Sequence, residues 1–221
     1  MSPRAKSGPV LLCLLALCVA PARAALPRYT IYGSVLSPQD RAARDYARDG
    51  YGLGVDLSWP VHGTEGLFSA LVGIEGNNLM SQQVNLVDRL TGLRVEQHTD
   101  QSYGRLFVGG ELGPHGNGTI QPYGNLALAL IMYGISTTVV VPDDFDRERD
   151  INQVLRSRTE FAFGWSAGTG VNLNFGRWGL DGGVRFLKQY GVPQQLGAGA
   201  VTVQPSYLQW RFGVSIPIRR R

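Results

Sequence analysis

The sequence predicts an all-β chain, an eight-stranded antiparallel up-and-down transmembrane β-barrel preceded by a cleaved signal peptide. Three observations lead there. Eight runs of residues alternate in polarity with a period of two, the spacing of side chains on a strand with two different faces. The connections between the runs alternate short and long without exception. Each run sorts its apolar side chains onto one face and its glycines and charges onto the other.

The chain begins with Arg4 and Lys6, continues through the apolar stretch 10–20, and reaches Ala22-Arg23-Ala24. This is the charged, apolar and small-x-small order of a secretory signal peptide, and an apolar core of 11 residues falls short of the roughly 17 to 25 that a spanning helix needs. The expected division is residues 1–24 as signal peptide and 25–221 as one barrel domain. Cys13 and Cys18 both fall in the signal, so the remaining chain has no thiol for a disulfide, a metal or a nucleophile. Leu17 stands where a lipidated cysteine would want a small neighbour. The signal takes three basic residues from the 21 Lys and Arg of the whole chain, leaving 18 against 17 Asp and Glu. A near-neutral exported chain offers no basic footprint for nucleic acid.

In order, the runs lie near 29–36, 50–60, 67–76, 102–112, 119–137, 158–175, 178–190 and 205–218. Short turns follow the second, fourth and sixth: VHGTEG, GPHGNG and GR. Long polar segments follow the first, third, fifth and seventh, among them SPQDRAARDYARD, NNLMSQQVNLVDRLTGLRVEQHTDQ and TVVVPDDFDRERDINQVLRS. All short turns therefore share one end of the sheet, the asymmetry of short periplasmic turns and long external loops. A strand of about 11 residues, tilted about 40°, climbs roughly 28 Å and matches an apolar band of about 25 Å. The greasiest stretch, LALALIMYGISTTVVV at 126–141, would span only about 24 Å as a helix and is β-branched in its second half, so it reads as a strand.

The apolar face carries Leu53, Val55, Val72, Ile74, Leu106, Val108, Leu126, Leu128, Phe163, Leu180, Trp210, Phe212 and their neighbours in phase. The other face carries Asp56, Glu75, Arg105, Glu111, Glu160, Asp181, Arg185 and Arg211. A soluble lipid-binding barrel would turn the apolar face inward; three features favour turning it out. Trp59, Phe68, Phe175 and Trp178 lie beside the short turns, and Tyr51, Phe161 and Tyr190 beside the long loops, as two interfacial aromatic girdles. Glycines such as Gly54 and Gly170 suit a crowded lumen and only weaken a wet surface. Charges of both signs on one face can pair, as buried charges must. They read as a lumen charge network that plugs a bore eight strands leave narrow. Lys188, in the outward register near the long-loop end, is placed to snorkel to lipid phosphates.

With this pattern the chain from 25 to 218 resembles the small eight-stranded outer-membrane β-barrels of the OmpA transmembrane domain, OmpX and opacity-protein type. The resemblance implies residence in the outer membrane and contact with its lipid and lipopolysaccharide. It also implies insertion by the barrel-assembly machinery, and surface or host ligands met through the loops. It leaves no room for a separate periplasmic domain. One departure is the last strand, RFGVSIPIRRR, which lacks the C-terminal aromatic such families use as an assembly signal. Arg219 to Arg221 are instead placed against anionic head groups at the periplasmic rim.

The sequence presents no catalytic constellation. His62 and His115 fall in short turns, His98 lies alone in a long loop, and no Ser is spaced to meet a His. DDFDRERD offers Asp143, Asp144, Asp146 and Asp150 as a divalent-ion loop, but it lacks the glycine and spacing of a calcium loop and reads as a solvated segment. GWSAGTGVNLNFG is followed by no helix pattern and is no nucleotide fingerprint. The expectation is a barrel with no cofactor, working structurally, by surface interaction or by adhesion; a narrow channel or carrier for small solutes is the alternative, and a lipid A-modifying enzyme is remoter.

Overall fold

The computed structural model describes residues 26–40, 44, 49–64, 66–87, 94–114, 118–141, 151–196 and 199–218. Ten strands follow in chain order: β1 (Arg28–Pro38), β2 (Gly50–Pro60), β3 (Phe68–Val87), β4 (Arg94–Leu112), β5 (Ile120–Val141), β6 (Ile151–Asn174), β7 (Gly179–Tyr190), β8 (Val192–Leu196), β9 (Gly199–Val203) and β10 (Ser206–Pro217). Eight of them close a barrel in the order β1-β10-β7-β6-β5-β4-β3-β2, every neighbour antiparallel. Closure removes the open sheet edge that a bilayer would leave without hydrogen bonds. The seam runs the length of β1, from Arg28 opposite Pro217 to Pro38 opposite Tyr207, and the Ile218 amide donates to the Pro27 carbonyl below it at 2.7 Å.

The β2–β3, β4–β5 and β6–β7 turns share one end. The tightest, after β6, is held by the Phe175 amide donating to the Trp178 carbonyl at 2.9 Å and by Gly176 at φ +88°, a backbone geometry that favours glycine. At the other end, the segments expected as long loops are in large part sheet. β3 to β6 run 20, 19, 22 and 24 residues, whereas β1 and β2 stop at 11. β2 leaves β3 at Leu79 and β7 leaves β6 at Phe163. Beyond those pairs β3, β4, β5 and β6 continue as four paired strands. This corrects the reading of NNLMSQQVNLV and VEQHTDQ as loop, and it places the backbone of His98 in β4, opposite Gln83 and Thr138. A register shift between Leu79 and Gln82 sits where β2 leaves β3, and another at Thr137/Thr138 lies further up, beyond the last β6–β7 pair; such irregularities bend and twist a strand. β8 and β9 form a separate small hairpin in the last long connection. The expected signal peptide, DDFDRERD, His115 and Arg219 to Arg221 lie outside the described residues.

The period of two decides the rest. Facing out are Leu53, Ile74, Val108, Leu126, Leu128, Phe163 and Phe212, all exposed. Facing in and buried are Tyr32, Leu36, Leu79, Tyr103, Phe107, Ile131, Tyr133, Leu187 and Tyr207, together with the charged side chains. An apolar exterior around a polar interior is the reverse of a water-soluble barrel and fits a protein whose solvent is lipid. The stretch 126–141 is part of β5, and no helix among the described residues is long and apolar enough to cross a membrane.

Candidate functional site

The candidate site is the filled lumen, and the alternation of each strand builds it. Arg105 on β4 faces Glu75 on β3 directly across the ladder, and their side chains meet at 3.2 Å. Glu75 also accepts from the Tyr32 hydroxyl at 2.8 Å, from Asn77 at 3.0 Å and from Gln209 at 3.2 Å. Arg211 on β10 reaches across the bore to Asp56 on β2 at 2.7 Å and to Asp181 on β7 at 3.0 Å, while the Tyr123 hydroxyl donates to Asp181 at 3.1 Å. Nearer the short-turn end, Arg28 pairs with Glu111 at 2.7 Å. These carboxylates and guanidinia are nearly free of solvent, so each pairing offsets a desolvation cost of several kcal/mol per ion.

Aromatic rings supply the remaining walls. The guanidinia of Arg105 and Arg185 lie 4.6 and 5.0 Å from the Phe107 ring centre, and that of Arg211 lies 4.1 Å from Tyr32, within cation–π range. Two glycines make room for these rings. A Cβ at Gly54 would come within 2.5 Å of the Tyr32 ring, and one at Gly73 within 2.4 Å of Phe107. Toward the long-connection end the belt of charge gives way to a packed layer of Leu36, Leu79, Tyr103, Ile131, Tyr133, Leu187 and Tyr207. There Tyr103 stacks at 5.5 Å on Tyr133, whose hydroxyl donates to the Gln189 side-chain carbonyl.

Of the sequence-predicted charges, the structure brings Asp56, Glu75, Arg105, Asp181, Arg185 and Arg211 into one belt and sets Glu111 below it. Glu160 is half-buried higher up, opposite Tyr133. Arg185 is nearly solvent-free, 3.9 Å from both Asp56 and Glu75. Arg28 falls outside the first alternating run as read from Tyr29, although counting back by twos from Tyr32 and Thr30 reaches it. Tyr32, Tyr123 and Gln209 are not singled out by the sequence either, since nothing local separates an inward Tyr from a girdle Tyr.

Trp59, Phe68, Phe175 and Trp178 are exposed at the short-turn end, and Tyr51, Phe161 and Tyr190 at the other. Lys188 stands in the expected outward register, between the buried Leu187 and Gln189, but its ammonium is engaged at the rim. Its ammonium donates to Asp40 at 3.2 Å and to the Gln204 carbonyl at 2.6 Å, and Ser206 donates to the same Asp40 carboxylate, tying the first and last long connections together. His62 is exposed in the β2–β3 turn.

The model of a family described as putative MetA-pathway of phenol degradation matches residues 132–217, less than half of the chain. A search of curated proteins gives no match. Among solved structures, Neisserial surface protein A is similar with a TM-score of 0.53, at 11% identity, over 87% of this chain and 97% of that one. Ail of Yersinia pestis gives 0.47 at 10% identity, over 89% and 100%. A major outer membrane protein of Thermus thermophilus gives 0.46 at 10%, over 87% and 99%. The first of these shares the fold. Eight closed strands with an apolar outer wall are the architecture of a small transmembrane β-barrel.

Proposed function

We propose that the chain is exported by its N-terminal segment, inserted in the outer membrane by the barrel-assembly machinery, and acts as a plugged barrel that displays its long-connection end to surface ligands. The observation that carries this reading is the filling of the bore. Arg211 spans it from Asp56 to Asp181, and a layer of tyrosines and leucines closes it above. The orientation follows from the short turns, which belong to the periplasmic side of such barrels. The four long strands then rise past the outer leaflet beside the lipopolysaccharide, a rigid platform suited to surface interaction or adhesion. The reading contains no chemical step. Purified protein in planar bilayers should show no steady ion conductance, and intact cells producing it should bind surfaces or host material that cells without it do not. A steady open channel would overturn the plugged lumen.

One observation favours a second reading. The matched family is described by phenol degradation, which suits a barrel that passes small aromatic solutes. Uptake of phenol by proteoliposomes, compared with protein-free vesicles, separates the two: equal rates support the plugged barrel and faster uptake supports the carrier.

A further inference from the structure

Among the described residues, Arg185 is the cation of the belt that makes no hydrogen bond. It is 1% exposed, and none of its three guanidinium nitrogens has a partner within hydrogen-bond reach. Its nearest carboxylates, Asp56 and Glu75, stand 3.9 Å away, and each is already bound by another arginine, Arg211 at 2.7 Å and Arg105 at 3.2 Å.

Arg185 also stands at the foot of a row. Gln209 lies directly opposite it on β10, with its Oε1 unpartnered. Two residues up β7 and across to β6 is Ser166, opposite Leu187, with its Oγ unpartnered; two further up is Gln189, with its Nε2 unpartnered. The buried, unpartnered Tyr103 hydroxyl belongs to the same upper layer. Nearer the short turns, Asn125 Oδ1 on β5 and Arg28 Nε on β1 are unpartnered as well. Buried polar atoms are hydrogen-bonded in folded proteins, to ordered water where no protein group serves. Of these atoms, those of Arg185, Gln209, Ser166 and Gln189 lie on the neighbouring strands β6, β7 and β10 and follow one side of the bore, through the layer that is otherwise leucine and tyrosine; Tyr103, Asn125 and Arg28 stand on other strands.

We propose that the lumen holds a water-permeable seam along the inner faces of β6, β7 and β10, closed to cations by Arg185. The proposal rests on the reading of the lumen as plugged to ions. A fixed guanidinium on a narrow wet path is an electrostatic barrier to cations. Removing the Arg185 charge leaves Arg105 and Arg211 against Asp56, Glu75 and Asp181, a belt that is net negative.

The test compares four proteins in planar bilayers, each first shown to be folded by its heat-dependent shift on a denaturing gel. Wild type should be silent. Arg185→Gln should conduct, with a reversal potential favouring K⁺ over Cl⁻, and Arg185→Lys should be silent. Arg185→Gln combined with Ser166→Val and Gln189→Leu should lose at least tenfold of the single variant's conductance. A folded, silent Arg185→Gln, or one selective for Cl⁻, overturns the proposal; conductance by wild type overturns the plugged lumen itself. Osmotic shrinkage of proteoliposomes keeps the test open if Arg185→Gln does not fold. Wild type should pass water faster than the folded Ser166→Val/Gln189→Leu variant, and equal rates overturn the seam.

Discussion

Arg211 satisfies two buried carboxylates that lie on strands β2 and β7, on either side of the β1–β10 seam, so its loss would leave both without their strongest partner. Breaking a buried pair by removing one member costs about 3 to 5 kcal/mol, and Arg211→Met should lower the stability of the folded barrel by that order in urea titrations in lipid vesicles. Glycines allow a sharper contrast. Gly54→Ala drives a methyl into the Tyr32 ring, an overpacking that costs about 1 to 3 kcal/mol, whereas Gly104, on the outer face, has nothing within 4 Å of a would-be Cβ. Gly104→Ala should therefore be neutral or slightly stabilising in the same titration. At this scale the sequence discloses a face but not a partner. Alternation puts Asp56, Glu75, Arg105 and Arg211 on one side; that Arg211 bridges Asp56 and Asp181, while Arg185 bonds to neither neighbour, depends on strand order and shear.

The elements were legible where lipid forces the pattern and illegible above it. Inside the membrane one face must be apolar, so the runs at 50–60 and 102–112 announce themselves. Past Leu79 strand β3 has no partner in β2, and where both faces of a strand meet water a stretch such as SQQVNLV does not have to alternate; a polar stretch in a paired strand then looks like a loop. The β8–β9 hairpin escaped for the same reason, being short and outside the wall. These upper strands pair with one another and not with β2 or β7. Excising residues 82–99, from Gln82 to its partner Thr99, and joining the ends with a short Gly-containing turn should leave the barrel below in register. The expected result is a retained heat-dependent gel shift and a stability change within about 1 kcal/mol, since an isolated hairpin is marginal on its own. Loss of the folded band would mean that the platform nucleates the wall beneath it.

For the molecule as a whole, the claim that lipid is the solvent has a consequence that no soluble barrel shares. A charge placed on the outer wall should cost more the deeper it lies, about 2 to 4 kcal/mol at the bilayer midplane and about 0 to 1 near either interface. Leu128 on β5 is 69% exposed and lies between Val108 and Trp165, well inside the wall, while Leu112 is 64% exposed at the last pair of β4, beside the short turn. Exposure is nearly equal, so any difference between Leu128→Arg and Leu112→Arg reports depth and not contact with the rest of the protein. In equilibrium folding into vesicles, Leu128→Arg should lower stability by several-fold more than Leu112→Arg. In water the two changes should be alike, because an arginine on a wet strand face costs little at either height. Equal penalties in vesicles would mean that the apolar wall does not face a bilayer, and the platform, the plugged bore and its wet seam would lose the frame that orients them.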